Sequence, residues 1–225
     1  MARPSPANLR AFVRRHTQLQ PVADGLGVRL HLAADVTAVW HAAARELAID
    51  DAPMPYWAFA WSGGLAIVSY LRDHPAAVDG RSVLDLGAGS GLCGIVAATL
   101  GATSVQAADI DPLARAAIAV NARANDVRIG ISHSDVLESD PPDVDVVLAG
   151  DVCYEEAMGR RMIEWLRTAA DQGARVLLGD PGRAYLPGGL ERLADYRVRT
   201  STEVEEAVVK PSAVYAVAAN PPRAG

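Results

Sequence analysis

The sequence predicts one α/β domain in which a mostly parallel sheet is covered by helices on both faces. From residue 81 onward, short continuous apolar runs alternate with stretches of helical periodicity, which is typical of parallel strands buried between two helical layers. Half of the 225 residues are hydrophobic, and no linker, repeat or low-complexity tract divides the chain. We therefore expect a single domain over 1–225, with an N-terminal segment over 1–80 and a core over 81–219.

The first 80 residues predict a mainly helical lid. Apolar side chains recur at helical spacing over about 6–17 and again from Asp35 to Leu47, and a short strand is expected from Val28 to Leu32. Another helix should begin at Ser62 and end before His74-Pro75. The arginine-rich N-terminus lacks the apolar region of a signal peptide, so we favour an ordinary amphipathic helix over a targeting segment.

The core elements follow in alternation. The predicted strands cover Ser82–Leu86, Ser104–Ala108, Val127–Ile131, Val144–Ala149 and Arg175–Leu178, and the predicted helices cover Gly91–Leu100, Pro112–Ala124 and Glu155–Ala170. The end of the chain differs, because Tyr196–Thr200 and Ala213–Val217 have strand character without a convincing helix between them. We expect these two strands to close the sheet as an antiparallel hairpin.

Composition excludes several classes of function. The chain has 21 Lys and Arg against 27 Asp and Glu, so it lacks the basic footprint that nucleic acid requires. No apolar run approaches the roughly 18 residues of a membrane span. Two distant cysteines, Cys93 and Cys153, and five scattered histidines suit neither a disulfide scaffold nor a metal site. We expect a cytoplasmic protein without metal, membrane or nucleic-acid partner, and its oligomeric state stays open.

A glycine turn follows the first core strand, in Asp85-Leu86-Gly87-Ala88-Gly89-Ser90-Gly91. Glycines there permit positive φ and let a ligand approach the backbone beside a helix N-terminus. Asp109 ends the next strand, at the sequence distance from the glycines where an acid forms hydrogen bonds with a nucleotide ribose. The segment Gly89–Gly94 also matches the G-x-G-x-x-G pattern of nicotinamide dinucleotide sites, which is weak evidence by itself.

Two further acids favour S-adenosylmethionine over a dinucleotide. The Asp85 carboxylate would repel a pyrophosphate, whereas it suits a ligand that carries an ammonium group and a sulfonium. Asp135, after the third strand, can accept a hydrogen bond from an adenine amino group. We predict S-adenosylmethionine as cofactor and S-adenosylhomocysteine as product, with no metal. The candidate cofactor-binding residues are Trp61, Gly63, Asp85, Gly87, Gly89, Ser90, Gly91, Asp109, Ile110, Asp135 and Val136.

Asp151 and Tyr154 are the candidate catalytic residues, since they follow the fourth core strand on the ligand side of such a sheet. A carboxylate and a phenol suit an amine substrate. The carboxylate also raises the amine pKa, although only the neutral amine is a nucleophile, so we assign Asp151 to binding and orientation first. The structural alternative makes Asp151 a helix cap and Tyr154 a packing residue. The aromatic segment Tyr56–Gly64 serves either as apolar packing or as a wall over the cofactor, and Trp61 suits both.

These residues together resemble the seven-β-strand, class I methyltransferases, and among them the lysine methyltransferases of the electron transfer flavoprotein beta subunit with their bacterial relatives. The resemblance spans about 10–217 and rests on Tyr56–Gly64, Asp85–Gly91 with Ala108–Pro112, Gly150–Tyr154 and Leu178–Arg183. It implies a Rossmann-like doubly wound sheet ordered 3-2-1-4-5-7-6 with the last strand antiparallel. It also implies methyl transfer to lysine side chains of a protein, with Asp151 and Tyr154 as the acid-x-x-aromatic substrate motif.

Two positions qualify the resemblance. Ser62 stands where we expect the family to carry proline, and serine can still begin a helix. Arg183, if functional, is expected to meet an acid on the substrate protein. Three alternatives stay open: a small-molecule amine or pyridine (nicotinamide-like) N-methyltransferase, a ribosomal-protein lysine methyltransferase, and a nucleotide-binding module without catalysis.

Overall fold

The computed structural model describes residues 4–22, 27–47, 53–200 and 209–220, and its centre is a seven-stranded sheet. The strands, in chain order and including an N-terminal pair outside this sheet, are β1 Gln18–Pro21, β2 Arg29–Leu32, β3 Ser82–Leu86, β4 Ser104–Ala108, β5 Gly130–Ser132, β6 Val146–Gly150, β7 Arg175–Asp180, β8 Glu191–Arg199 and β9 Val209–Ala216. The helices are α1 Pro6–His16, α2 Val36–Leu47, α3 Ser62–Asp73, α4 Leu92–Thr99, α5 Pro112–Ala124 and α6 Glu156–Asp171.

The strand order of the large sheet is β5-β4-β3-β6-β7-β9-β8. Numbered from the first core strand, this is 3-2-1-4-5-7-6, and β9 lies antiparallel to both β7 and β8. The predicted order and the antiparallel closing hairpin are therefore confirmed. The first five core strands are parallel to one another, so their carboxyl ends meet at one edge, where ligands of such sheets bind.

Helices cover both faces of this sheet, as the apolar pattern predicted. Leu177 packs with α3 and α4 on one face, while its neighbours Val176 and Leu178 pack with α6 on the other. Successive side chains of a strand point to opposite faces, so both faces of β7 are buried. None of the helices in the described ranges has the length and apolar character needed to cross a membrane.

The N-terminal segment contains a small sheet as well as helices. β1 pairs antiparallel with β2, and β1 was not predicted because its glutamines and proline lack strand character. Asn121 on α5 and Asn125 directly after this helix accept the backbone N–H groups of His31 (2.8 Å) and Arg29 (2.9 Å), respectively. These hydrogen bonds fasten β2 to the core.

One predicted strand is wrong in its position. We expected a strand over Val127–Ile131, whereas β5 is Gly130–Ser132. Asp126 has a left-handed φ of 55°, and the Val127 N–H donates to the Ala122 carbonyl at 3.1 Å. Val127 is therefore hydrogen-bonded back to the end of α5 and does not begin the strand. We predicted a strand there because its side chain is apolar, like those of the buried strands.

Candidate active site

A cavity of about 460 Å³ opens at the carboxyl ends of β3, β4 and β6. Nine of the predicted site residues line it: Trp61, Gly87, Gly89, Asp109, Ile110, Asp135, Val136, Asp151 and Tyr154. The other four, Gly63, Asp85, Ser90 and Gly91, are buried behind its wall. The structure therefore brings the two predicted halves of the site together in one cavity, supported by a layer of residues that do not face it.

The glycine turn has the backbone conformation that the sequence predicted. Gly87, Gly89 and Gly91 have φ values of 64°, 51° and 81°, which residues with a side chain rarely adopt. Gly91 precedes the first residue of α4 in the left-handed conformation. A Cβ on Gly91 would lie 3.3 Å from Ile118, so the turn also packs closely on α5.

Asp85 lies under this turn instead of on the cavity wall. Its Oδ2 accepts the Gly94 N–H at 2.8 Å, which ties the end of β3 to α4. Burial raises the pKa of the Asp85 carboxyl to about 7; the hydrogen bond opposes this effect and the nearby Asp109 charge adds to it. A direct contact between Asp85 and a bound ligand stays a prediction, and its visible role is to support the glycine turn.

Asp109 joins the second core strand to the glycine turn. Its Oδ2 accepts the Gly89 N–H and its Oδ1 accepts the Asp111 N–H, each at 2.9 Å. Burial raises the pKa of Asp109, and it raises the pKa of Asp111 to about 6. Ile110, 62% exposed, stands at the cavity mouth. The acid and the turn thus form one hydrogen-bonded unit beside the cavity.

Asp135 begins the loop that follows β5, in the half of the site that contains the glycine turn. Its Oδ1 accepts the Leu137 N–H at 3.0 Å, and its Oδ2 lies 3.2 Å from Arg161 on α6. Trp165 holds the loop down, because its indole N–H is shared between the carbonyls of Val136 (3.1 Å) and Ser139 (2.9 Å). The ion pair with Arg161 was not predicted, since the two residues lie on different elements.

Asp151 is the central residue of the other half of the site, which contains the predicted catalytic residues. It follows β6 with a left-handed φ of 58°, and its N–H donates to the Gly179 carbonyl at 2.9 Å. Its Oδ2 accepts the Gly64 N–H in the first turn of α3 at 2.9 Å. A cap was our structural alternative for Asp151, and the carboxylate does cap a helix. That helix is the distant α3, whereas α6 begins after Glu155 without a side-chain cap.

Gly63 explains how α3 comes so close to this carboxylate. A Cβ on Gly63 would lie 2.2 Å from the Gly179 carbonyl oxygen and 2.6 Å from Asp151 Oδ2. Only glycine fits there. The absence of a side chain at Gly63 lets the backbone of α3 lie directly against the end of β7. Gly64 has more space, because its nearest such contact is 3.7 Å away at Cys93 Sγ.

Arg183 pairs with Asp151 of its own chain, and its expected contact with an acid on a substrate protein stays a prediction. Its Nη2 lies 2.7 Å from Asp151 Oδ1, and its Cζ lies 6.0 Å from the Trp61 ring centroid. Asp180 shapes the turn that presents it, by accepting the N–H groups of Gly182 and Arg183 at 2.7 Å each. The motif was visible in the sequence, but its partner 32 residues away was not.

Aromatic rings surround this half of the mouth. The Tyr56 ring centroid lies 5.7 Å from that of Trp61 and 5.4 Å from that of Tyr154. Tyr154 is 48% exposed, which argues against the packing alternative, and burial of its ring raises its pKa. Trp57 and Phe59 are buried. The aromatic segment therefore has some rings in the core and others on the cavity wall, and its role as a wall over the cofactor stays a prediction.

Comparison with known proteins points to methyltransferases. The family model of ribosomal protein L11 methyltransferase (PrmA) matches residues 71–152. The electron transfer flavoprotein beta subunit lysine methyltransferase of Danio rerio is 38% identical over 170 residues, covering 72% of this chain and 66% of that protein. The Xenopus laevis protein of the same name is 32% identical over 213 residues, covering 92% of this chain and 85% of that protein.

The chain spans slightly less than two thirds of the length of the zebrafish relative. Among solved structures, a proposed RNA methyltransferase from Pyrococcus horikoshii has a TM-score of 0.57, with 17% sequence identity, 76% of this chain covered and 91% of that chain covered. At that identity the likeness concerns the fold alone.

Proposed function

Because this chain belongs to the electron transfer flavoprotein beta subunit lysine methyltransferase family, we propose that it methylates lysine side chains of a protein, using S-adenosylmethionine. We further propose the electron transfer flavoprotein beta subunit as that protein. The observation that carries the proposal is the joining, in one cavity, of a glycine turn with acids at its rim to a paired carboxylate among aromatic rings.

The residues of the first half suit S-adenosylmethionine. The cavity volume of about 460 Å³ lies within the usual range for small-molecule sites. When bound, this cofactor supplies a methyl group on a positively charged sulfur. In our proposal Asp109 binds the ribose hydroxyls, Asp135 and Val136 bind the adenine edge, and Ile110 covers it. The turn of Gly87, Gly89, Ser90 and Gly91 leaves room for the cofactor, supported from below by Asp85, and Trp61 and Gly63 close the methionine end.

The second half suits a lysine side chain. Asp151 and Tyr154 line the cavity beyond the glycine turn, where they would bind and orient the amine nitrogen. A long alkyl chain that reaches inward would pass the rings of Tyr56, Trp61 and Tyr154. Aromatic faces attract both alkyl groups and cations, so this passage suits lysine.

The rim of the cavity favours a protein over a free small molecule. Large apolar side chains are exposed there, namely Met54, Tyr56, Ile110 and Tyr154. Exposed apolar groups around an opening mark a contact surface for a macromolecule, which a free small amine would leave uncovered. A ribosomal protein is the second candidate substrate, supported by the PrmA match over residues 71–152.

The test incubates the purified protein and labelled S-adenosylmethionine with three substrates: the electron transfer flavoprotein beta subunit of the same organism, its ribosomal protein L11, and a lysate. We expect label on a lysine of the flavoprotein subunit, located by mass spectrometry. Label on L11 alone would move the substrate to the ribosome, and label only in the small-molecule fraction of the lysate would overturn protein methylation.

A binding measurement separates the cofactor from the substrate. S-adenosylhomocysteine should raise the melting temperature of the protein, whereas NAD should not, because a ligand stabilises the fold only when the folded protein binds it and we assign this cavity to S-adenosylmethionine and its product. Stabilisation by NAD alone would overturn the cofactor assignment, whatever the substrate assay shows.

A further inference from the structure

The ion pair between Arg183 and Asp151 is the most buried ion pair among the described residues. The two side chains are 18% and 8% exposed, whereas every other ion pair of the described ranges has both side chains at least 21% exposed. Asp151 Oδ1 accepts from Arg183 and Oδ2 accepts from Gly64. Each carboxylate oxygen therefore already accepts one hydrogen bond before a substrate amine arrives, and the charge of the carboxylate is paired with Arg183.

Arg183 is also held in place from its own side. Asp180 accepts the N–H groups of Gly182 and Arg183, and the Trp61 ring lies 6.0 Å from the Arg183 guanidinium carbon. Removing one member of a buried pair leaves an uncompensated charge, which is strongly unfavourable. We therefore expect a substrate lysine to compete poorly for the place of Arg183, so that the pair persists when the cavity fills.

Whether the Arg183–Asp151 ion pair persists decides the charge state of the attacking amine. A lone carboxylate beside a lysine stabilises the ammonium form and raises the amine pKa, but only the neutral amine attacks. A guanidinium on the same carboxylate cancels its charge and repels a second cation. We propose that Arg183 is a positioning residue that keeps Asp151 paired, so that the target lysine enters this site as the neutral amine. This inference rests on the proposed lysine methylation and specifies how its site selects the reactive form.

The reaction balances in two steps. The lysine ammonium first releases a proton to bulk solvent as it enters the site. The nitrogen lone pair then forms the new C–N bond while the C–S bond breaks and its electron pair stays on sulfur, which yields a methylated ammonium and a neutral thioether. No base in the cavity is needed, because the proton leaves before the transfer.

Other titratable groups lie near the pair or near the groups that flank it. They are Cys93 on α4, Cys153 and Tyr154 after β6, Glu155 before α6, Asp180 on β7, Lys210 on β9, Asp109 after β4 and Tyr56 before α3. Burial raises the pKa of Cys93 well above its ordinary value and that of Cys153 to about 12, and it also raises the pKa of Tyr154.

The test uses n-butylamine, which reproduces the end of a lysine side chain, added to the complex with S-adenosylhomocysteine. Its affinity is measured from NMR chemical shifts between about pH 7 and 10, below the ordinary lysine pKa of about 10.4. For the natural chain we expect the affinity to rise about tenfold per pH unit, because only the neutral amine binds. For Arg183→Met we expect tighter binding at neutral pH and a flat profile, because the lone Asp151 binds the ammonium. Equal profiles would overturn the inference.

Three further variants serve as controls for this titration. Arg183→Gln also lacks the charge but can still donate to Asp151, so it must show the same flat profile and serves if Arg183→Met does not fold. The double variant Arg183→Met with Asp151→Asn removes both charges and should restore the rising profile. A flat profile for this double variant would overturn the inference. Arg160→Met is the matched control, since it breaks an exposed pair with Glu156 of 2.8 Å and should leave the profile unchanged.

A kinetic arm connects the inference to catalysis. With the protein substrate that the enzyme methylates, the rise of kcat with pH for Arg183→Met should move up by about one pH unit, because kcat reports groups in the enzyme–substrate complex, whereas a purely structural defect lowers kcat at every pH. If the natural chain methylates no lysine, the proposed function fails. The butylamine titration still decides the role of Arg183, so the two failures are distinguishable.

Discussion

The two ends of the cavity are built by different kinds of contact. At the glycine-turn end, Asp109 accepts a backbone N–H 20 residues away and Asp85 accepts one 9 residues away. At the Asp151 end, the carboxylate joins Gly64 and Arg183, which lie 87 and 32 residues away. Contacts between residues closer in the sequence build the glycine turn itself, and packing of distant elements builds the Asp151 end. We therefore expect substitutions at the two ends to affect different measurements.

The largest effect should come from Gly63→Ala, which attacks the packing that builds the Asp151 end. The new methyl group would overlap the Gly179 carbonyl, whose strand cannot move without disturbing the sheet. We expect a loss of about 3 kcal/mol in the free energy of unfolding, measured by urea denaturation. Gly64→Ala is the matched control, because its methyl group fits; equal losses would show that the close approach of α3 to β7 is unimportant.

Asp151→Asn should be the largest purely catalytic change. It leaves the glycine-turn end intact, so the S-adenosylhomocysteine affinity measured by calorimetry should stay within about threefold. Methyl transfer should fall about 100-fold, because the amine loses its orienting carboxylate and Arg183 loses its partner. Asp143→Asn, which changes an exposed carboxylate ahead of β6, serves as the control. Unchanged turnover in Asp151→Asn would remove this residue from the site.

Asp85→Asn probes the support under the glycine turn through pH. The folded pKa of about 7 lies above the ordinary value of Asp, so the protonated carboxyl stabilises the fold at low pH, and this contribution is lost as pH rises towards 7. The asparagine variant lacks this loss. Its stability relative to the natural chain should therefore rise by up to about 1.4 kcal/mol per unit between about pH 4 and 7, then level off. Urea denaturation at several pH values measures this, and a constant difference would contradict the raised pKa.

Asp135→Asn should have the smallest effect, confined to the glycine-turn end. We expect S-adenosylhomocysteine to bind about tenfold more weakly, because an acceptor for the adenine amino group is replaced by an amide and Arg161 loses its ion pair. The maximal rate at saturating cofactor should not change. A fall in that rate with unchanged affinity would place Asp135 at the wrong end of the cavity.

Much of the fold follows from local pattern. Continuous apolar runs predicted the buried parallel strands, and the glycine turn was predicted because positive φ at glycine is a property of a few adjacent residues. The misplaced strand also has a local cause. Val127 looked like the start of a strand, but the left-handed Asp126 folds it back onto α5.

The sequence by itself determined which segments form strands and helices and which acids follow the strand ends, because backbone preferences and apolar periodicity act within short stretches. Only the tertiary structure decided what those side chains meet. Asp85 turns towards Gly94 beneath the loop, and Asp151 receives both α3 and Arg183. These partners depend on how α3 packs on β7, which no local pattern encodes. The charge state of the proposed substrate site is therefore a property of the assembled fold.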